Sequence, residues 1–444
     1  MVINMSDEKT NSVEVNALKP IEMKDRMSWL SMAFVQAGIC VCVPSFLLGA
    51  LLAEAMTVTE AIISGSLGYV IVVIVMSILG QMGSDLGVAT CTAAQASMGV
   101  KGSRFIVSTV FAVNLIGWFG INNAVCGEAF ANVLESSLGL TVPVSLCSIV
   151  WGVIMLTTAV FGMAAIEKLD KISIPMLMII MMLGTYLVIK QFGLSGMGAA
   201  ADPDYAMSFM AGVGLSFNFY AVGAIAPCDF TRFQKTRSDV WKSTVLGVLP
   251  MGIITLVLGI VMTKIANNYD ISMVLIEVGI PVLGVASMIL STWTTNATNA
   301  YTGALDTVMI FNIADNKRRE VTLIVGMIGT VLGAFGILNY IEGLLSMLAC
   351  IACPIGGVML ADYFIIGKGK SENWHAVKGF NWAGVIAWVI GAVVAYYLYI
   401  EYSGILIGMV IYLILERFMP SPSRGNGVAS DKIATELEDC VVRS

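Results

Sequence analysis

Residues 212–232 read GVGLSFNFYAVGAIAPCDFTR, a stretch that is apolar enough to lie in a membrane but poorly suited to one continuous helix. Gly212, Gly214 and Gly223 loosen the helical backbone, and Pro227 lacks an amide donor and crowds the turn before it. A broken span leaves unpaired N–H and C=O groups at membrane depth, which hydrocarbon does not tolerate. We therefore expect these groups to face a partner helix, a cavity or a bound solute.

A second interrupted stretch lies upstream. Residues 34–52 read FVQAGICVCVPSFLLGALL and include Gly38, Pro44 and Gly49. Short or Gly/Pro-interrupted spans in matching positions of two halves are the best pointer in a sequence to the binding site of a transporter. The sequence therefore predicts a binding site between the two broken spans.

The composition is that of a protein with many membrane spans. Of the 444 residues, 57% are hydrophobic and 12% are charged, and the mean hydropathy is +0.86, whereas about 25% of a soluble domain is charged. A spanning helix needs roughly 20 mostly apolar residues, so the pattern predicts an all-α protein of about twelve spans. These spans are expected at residues 28–53, 58–81, 104–132, 140–164, 172–191, 206–228, 242–266, 279–311, 321–338, 341–365, 381–399 and 402–419.

The distribution of basic residues indicates that both termini lie in the cytoplasm. With that orientation, all of the 24 Lys and Arg residues except Lys190 and Lys264 fall on cytoplasmic segments, as the positive-inside rule requires. The polar residues 1–27 and 420–444 are expected to be disordered cytoplasmic tails. The chain is therefore predicted to be a multi-pass protein of the cell membrane.

The broken spans are the first and the sixth. This placement predicts two repeats of five spans each with opposite topology, at residues 28–191 and 206–365. Two further spans, within residues 381–419, would follow them. Because five is odd, the second repeat must begin on the opposite side of the membrane from the first.

Several classes of function find no support in the sequence. We find no phosphate-binding loop, dinucleotide fingerprint or nucleophile–base set, so an enzyme is not expected. The single histidine, His375, excludes a metal site built on histidines. The net charge is −6, and a negative charge does not indicate binding to nucleic acid.

The predicted eighth span carries a stripe of hydroxyl side chains at helical spacing: Ser291, Thr294, Thr295, Thr298 and Thr302. One or two hydroxyls in a membrane helix usually bond to a neighbouring helix. A stripe of five favours a functional role, since hydroxyl and carbonyl oxygens are hard ligands suited to a small cation. The stripe therefore predicts a cation site.

The predicted third span places Asn114 and Trp118 four residues apart on one face. Such a tryptophan often only packs, but it also offers a flat surface on which a heteroaromatic solute can stack, with the asparagine supplying hydrogen bonds. Glu128 and Asp306 are ionisable residues within spans and are therefore functional candidates. Their roles stay open, and a proton-coupled mechanism would use one of them.

Five segments in this order resemble the nucleobase–cation symporter family, and its cytosine permease branch most closely: GVKGS (99–103), GWFG (117–120), CDFTRF (228–233), WTTN (293–296) and IGGVMLADYF (355–364). The resemblance runs from about residue 34 to the end of the twelfth span. It implies a leucine-transporter-like fold of 5 + 5 inverted repeats plus two helices. It also implies import of a nucleobase or related heterocycle, coupled to sodium or protons.

The same resemblance implies site residues by position. Trp118 corresponds to the stacking tryptophan, Tyr220 to the aromatic residue at the break of span six, and Ser291 to a substrate-binding asparagine. A sodium ion would be held by carbonyls of span one and groups of span eight, here Gly38, Val41, Ser291, Thr294 and Thr295.

Three substrate positions depart from those of cytosine carriers. Leu115 stands where they have Gln, Val222 where they have Ser, and Cys42 where they have an aromatic residue. Asn114, about 100° round the helix from Leu115, could replace the missing Gln only if the helix is rotated there. The sequence therefore predicts a more apolar pocket for a heterocycle with fewer edge hydrogen bonds than cytosine.

The sequence thus favours a secondary active transporter of a nucleobase or related N-heterocycle, with sodium as the coupling ion and no other cofactor. A proton-coupled carrier of a different small heterocycle or vitamin precursor is the alternative. A passive channel and a membrane-embedded enzyme are less favoured, and the oligomeric state is not indicated.

Overall fold

A computed structural model describes residues 19–198, 206–268, 271–337 and 341–419. In this part of the chain all regular structure is helical, as expected from the composition. The longer helices are α1 (Trp29–Cys40), α2 (Val43–Ala55), α3 (Val58–Leu86), α4 (Ser108–Leu138), α5 (Val144–Ala159), α6 (Met163–Phe192), α7 (Phe209–Ile225), α8 (Arg237–Gly247), α9 (Leu249–Ala266), α10 (Pro281–Phe311), α11 (Arg318–Ala334), α12 (Ile341–Leu360), α13 (Trp382–Leu398) and α14 (Ser403–Phe418).

The helices have the length and surface of membrane spans. Among the described residues, five helices are long and apolar enough to cross a membrane, and the bent pair α1–α2 makes a sixth. On α6, Ile172, Ile179 and Met182 are about two-thirds exposed along one face, while Leu177 and Met181 are buried on the other. An exposed stripe of this kind suits contact with lipid. The multi-pass character is thereby confirmed, whereas the number of twelve spans stays a prediction.

The expected break in span one is present. Helix α1 ends at Cys40 and α2 begins at Val43, and the two axes differ by 55°. Cys42 at the bend has extended backbone angles. Pro44 lies in the first turn of α2, where a missing amide donor costs nothing. The bend therefore forms where the proline indicated it.

The break in span six lies later than its glycines suggested. Helix α7 runs without interruption to Ile225, and a four-residue helix follows Pro227. Gly212 and Gly223 lie inside α7, where Gly212 provides room for packing, since a Cβ there would lie 2.6 Å from the Cε of Met56. Tyr220 is consequently a helical residue before the break and does not lie in it, contrary to the expectation from the resemblance.

The start of span five also differs from the expected residue 172. Helix α6 begins at Met163 and runs through the charged residues of this segment without a break. Lys171 pairs with Glu167 at 2.6 Å on the exposed side, while Asp170 is fully buried on the other. A residue assigned to a loop by hydropathy is thus inside the helical bundle.

Helices α2 and α9 are packed backbone against backbone. A Cβ on Gly49 would collide with the carbonyl oxygen of Leu256, and a Cβ on Gly259 would collide with that of Phe46. Small residues at such positions let membrane helices approach closely. The glycine pair is therefore required by this contact and not by the bend of span one.

Most of the two expected tails, residues 1–18 and 420–444, lies outside the described residues. Near the start of the described chain, Arg26 donates from Nη1 to the carbonyl oxygens of Ser84 at 2.5 Å and Gln234 at 2.8 Å. The N-terminal segment therefore contacts the C-terminal end of α3 and the loop that follows the short helix after α7. The inverted relation of residues 28–191 and 206–365 stays a prediction.

Candidate substrate cavity and cation site

A cavity lies where the bend of span one meets α4, α7 and α10. Its walls combine apolar, aromatic and amide side chains from five segments: Ile39, Cys42, Pro44, Asn114, Leu115, Trp118, Asn122, Phe219, Tyr220, Val222, Gly223, Ala226, Asp229, Phe230, Thr295, Thr298, Asn299 and Thr302.

The cavity brings together most of the residues expected to contact a substrate. Six of these seven line its wall, namely Cys42, Asn114, Leu115, Trp118, Tyr220 and Val222. The seventh, Ser291, is not on the wall, and its hydroxyl donates to the carbonyl oxygen of Met288 in its own helix at 3.1 Å. The amide on the α10 side of the cavity is instead Asn299, two turns further along.

Aromatic rings form one side of the cavity. The ring centroids of Trp118 and Phe219 are 6.1 Å apart and the planes are tilted by 56°. Tyr220 follows Phe219 on α7, is 7% exposed, and its hydroxyl has no partner among the described residues. A flat ring placed on Trp118 would therefore be bounded by two aromatic residues of α7. Phe219 was missed because the resemblance pointed to Tyr220 alone, although the run Phe217–Tyr220 is visibly aromatic.

The cavity is less apolar than Leu115, Val222 and Cys42 suggested. Asn114 also lies on the wall, 2% exposed, and its Oδ1 has no hydrogen-bond partner within the described chain. The helix therefore presents Asn114 and Leu115 to the same space. A buried amide oxygen without a partner costs free energy, and a solute N–H group could satisfy it.

The groups expected to hold a cation also converge. The Gly38 carbonyl oxygen of α1 accepts hydrogen bonds from the hydroxyls of Thr294 at 3.3 Å and Thr295 at 3.0 Å. Both hydroxyls lie 3.1 Å from the carbonyl oxygen of Ser291. Val41, the last expected ligand, is fully buried at the bend directly after α1.

This set of atoms fits a sodium ion. The groups are uncharged carbonyl and hydroxyl oxygens, the hard ligands that small cations of groups one and two prefer. They come from α1 and α10, which the hydrogen bonds of Thr294 and Thr295 to Gly38 hold together.

The remaining ionisable candidates occupy different environments. Glu128 is exposed on α4, away from the cavity. Asp306 is buried on α10, and its Oδ2 has no partner in the described chain. Asp362 accepts a hydrogen bond from the Tyr412 hydroxyl at 2.8 Å, and Asp229 accepts one from the Thr90 amide at 2.8 Å. The last two thus have structural partners.

Comparisons with known proteins agree with this architecture. Residues 20–414 match the family of permeases for cytosine/purines, uracil, thiamine and allantoin. The chain is 27% identical to the cytosine permease of Escherichia coli strain K12 over 403 residues, which cover 89% of this chain and 93% of that one.

Two solved structures are similar in fold. Mhp1, a nucleobase-cation-symport-1 family transporter in a closed conformation with bromovinylhydantoin bound, aligns with a TM-score of 0.82 at 18% identity, over 96% of this chain and 99% of its own. A Na⁺-coupled sialic acid symporter in a substrate-bound outward-open state aligns with a TM-score of 0.63 at 11% identity, over 91% and 92%.

These similarities confirm that the chain has a leucine-transporter-like fold. They also confirm that it is a transporter and not an enzyme. The family match covers most of the chain, including both broken spans and the cavity. The chain belongs to the cytosine/purine, uracil, thiamine and allantoin permeases, the nucleobase–cation symporter family.

Proposed function

We propose that this transporter imports a nucleobase or a related nitrogen heterocycle together with sodium, by alternating access. The observation that carries the proposal is the position of Thr295. Its hydroxyl donates to the Gly38 carbonyl at 3.0 Å, and the same side chain lines the cavity. The cation site and the substrate cavity thus share a residue.

A shared wall gives a physical basis for coupling. A cation held by Gly38 and Thr295 draws α1 against α10 and so fixes one wall of the cavity. By thermodynamic linkage, an ion that favours the substrate-binding state is itself bound more tightly when substrate is present. Sodium and solute would then bind together and be carried together.

The solute class follows from the cavity walls. Trp118 supplies a face for stacking, and the Asn114 amide and the Tyr220 hydroxyl supply hydrogen bonds to a ring edge. Base–aromatic stacking is worth about 1–3 kcal/mol. A cytosine permease and a transporter with a hydantoin derivative bound are among the similar proteins, and both solutes are small nitrogen heterocycles.

A ligand screen on the purified protein tests this function. We expect one or more members of a panel of purines, pyrimidines, hydantoins and allantoin to raise the melting temperature, and to do so more strongly in sodium than in choline. Binding to the native state stabilises it by about 2.7 kcal/mol at a ligand concentration one hundred times Kd. Equal shifts in sodium and choline would contradict sodium coupling.

Counterflow in proteoliposomes tests alternating access separately. Unlabelled solute inside the liposomes is expected to accelerate uptake of labelled solute. A carrier that has moved unlabelled solute outward returns with labelled solute bound. A passive channel would show no such acceleration, and this result would contradict the proposal.

The apolar side chains of Leu115 and Val222 in the cavity wall predict selectivity. Changing Leu115→Gln together with Val222→Ser is expected to raise cytosine affinity about tenfold and to lower affinity for the native solute, because two added hydrogen bonds contribute about 0.5–1.5 kcal/mol each. Competition binding on wild type and variant measures both changes. Leu115→Met with Val222→Ala alters the shape without adding polar groups and is the control. Tight binding of cytosine by the wild type would contradict the argument.

A further inference from the structure

Asp170 is a carboxylate buried in the bundle without a partner. It lies on α6, is 0% exposed, and neither Oδ1 nor Oδ2 has a hydrogen-bond partner among the described residues. The nearby Lys171 is on the exposed face and pairs with Glu167. An ionised carboxylate in such surroundings is strongly unfavourable, so Asp170 is either protonated or neutralised by a cation. Its position therefore makes it a candidate ligand for a cation.

The carboxylate lies directly against the expected cation site. A Cβ built on Gly38 would lie 2.7 Å from Oδ1 of Asp170, 2.9 Å from its Cγ and 3.2 Å from Oδ2. The same glycine presents its carbonyl oxygen to Thr294 and Thr295. Because glycine has no side chain, the carboxylate can approach the α1 backbone closely. Helices α1, α6 and α10 thus pack together around Gly38.

The surroundings favour a strong electrostatic interaction. Ala37 and Val41 of span one and Ile174 and Leu177 of α6 belong to one buried apolar cluster. Such side chains exclude water, and the attraction between opposite charges is greater where water is excluded. Ser173, one turn from Asp170, is also buried with an unpartnered hydroxyl.

We propose that Asp170 is an anionic ligand of the cation bound by Gly38, Thr294 and Thr295. This inference rests on the proposed sodium site and extends it to a third helix. The carbonyl and hydroxyl ligands are neutral and would leave a full positive charge in an apolar interior. One carboxylate makes the site neutral with a monovalent ion bound, whereas a divalent ion would leave a net charge.

The test is sodium-dependent stabilisation of the full chain, purified in detergent without substrate. Melting temperature is measured against NaCl, with choline chloride keeping the ionic strength constant. We expect saturable stabilisation of the wild type and a half-saturating concentration at least about a hundredfold higher for Asp170→Asn. Without sodium, Asp170→Asn should melt no lower than the wild type, because it lacks the unpartnered charge. A carboxylate with a purely structural role would give a lower melting temperature.

Two further variants make the result specific. Asp306→Asn removes another buried carboxylate with an unpaired oxygen and should respond to sodium as the wild type does. Gly38→Ala inserts a methyl group against the Asp170 carboxylate and should weaken the sodium response at least about tenfold. It tests the same contact if Asp170→Asn does not fold, and an unchanged response in Gly38→Ala would then overturn the proposal.

The outcomes separate this proposal from the one on which it rests. A wild type that does not respond to sodium overturns both. A sodium response that is lost in Thr294→Val but kept within about threefold in Asp170→Asn overturns the role of Asp170 and leaves the other ligands in place.

Discussion

Replacing Trp118 with alanine is expected to weaken solute binding about tenfold to a hundredfold while leaving the protein folded. Removing a stacking face costs about 1–3 kcal/mol, and each 1.4 kcal/mol is a factor of ten in affinity. Trp118 is only partly buried and lines an existing cavity, so the change enlarges that cavity and removes little core packing. Binding is measured by the thermal shift with the ligand found in the screen.

Two variants define the cause of that loss. Trp118→Phe keeps a smaller ring and should retain an intermediate affinity. Trp151→Ala removes a tryptophan that packs edge-on against Phe130 at 5.4 Å and does not line the cavity, so it should lower stability without changing affinity. Normal binding by Trp118→Ala would show that the indole only packs and that the solute lies elsewhere.

For the cation, Thr294→Val and Thr295→Val are each expected to raise the sodium concentration required for substrate binding about tenfold or more. Valine keeps the shape of threonine and removes the oxygen, and bonds to charged groups contribute about 1.5–3 kcal/mol. Thr294 is the cleaner variant because it does not line the cavity, whereas Thr295 does. Sodium titrations of substrate binding measure the effect.

Thr292→Val is the matched control. Thr292 is buried on the same helix, but its hydroxyl donates to the carbonyl oxygen of Met288 at 2.7 Å. It should leave the sodium requirement unchanged. Substrate uptake driven equally well by a pH gradient in sodium-free buffer would contradict sodium coupling and direct attention to Asp306 and Glu128.

The sequence predicted those parts of the fold that depend on local chemistry. Hydropathy located most helices within a few residues, because a span must be apolar over its whole length. The bend in span one was predicted from Pro44, which favours the first turn of a new helix. In span six the prediction of a break near the glycines was wrong, because glycine is frequent within membrane helices. Only Pro227 marks the break.

The site was harder to predict where it depends on how helices face one another. Asp170 was assigned to a loop, because Lys168 and Lys171 give the segment a charged appearance. The spacing of Ile166, Asp170 and Leu177 on one helical face was the available signal. Asn114 and Leu115 of α4 line the same cavity, which residue spacing alone could not show.

The reciprocal glycine contact between α2 and α9 has a mechanical consequence. Gly49 meets the backbone at Leu256, and Gly259 meets the backbone at Phe46. Sliding one helix along the other would drive side chains into these backbone positions, so the two helices cannot shear. Helix α2 must therefore move together with α9 or stay still with it, and the bend at Val41 and Cys42 separates it from α1.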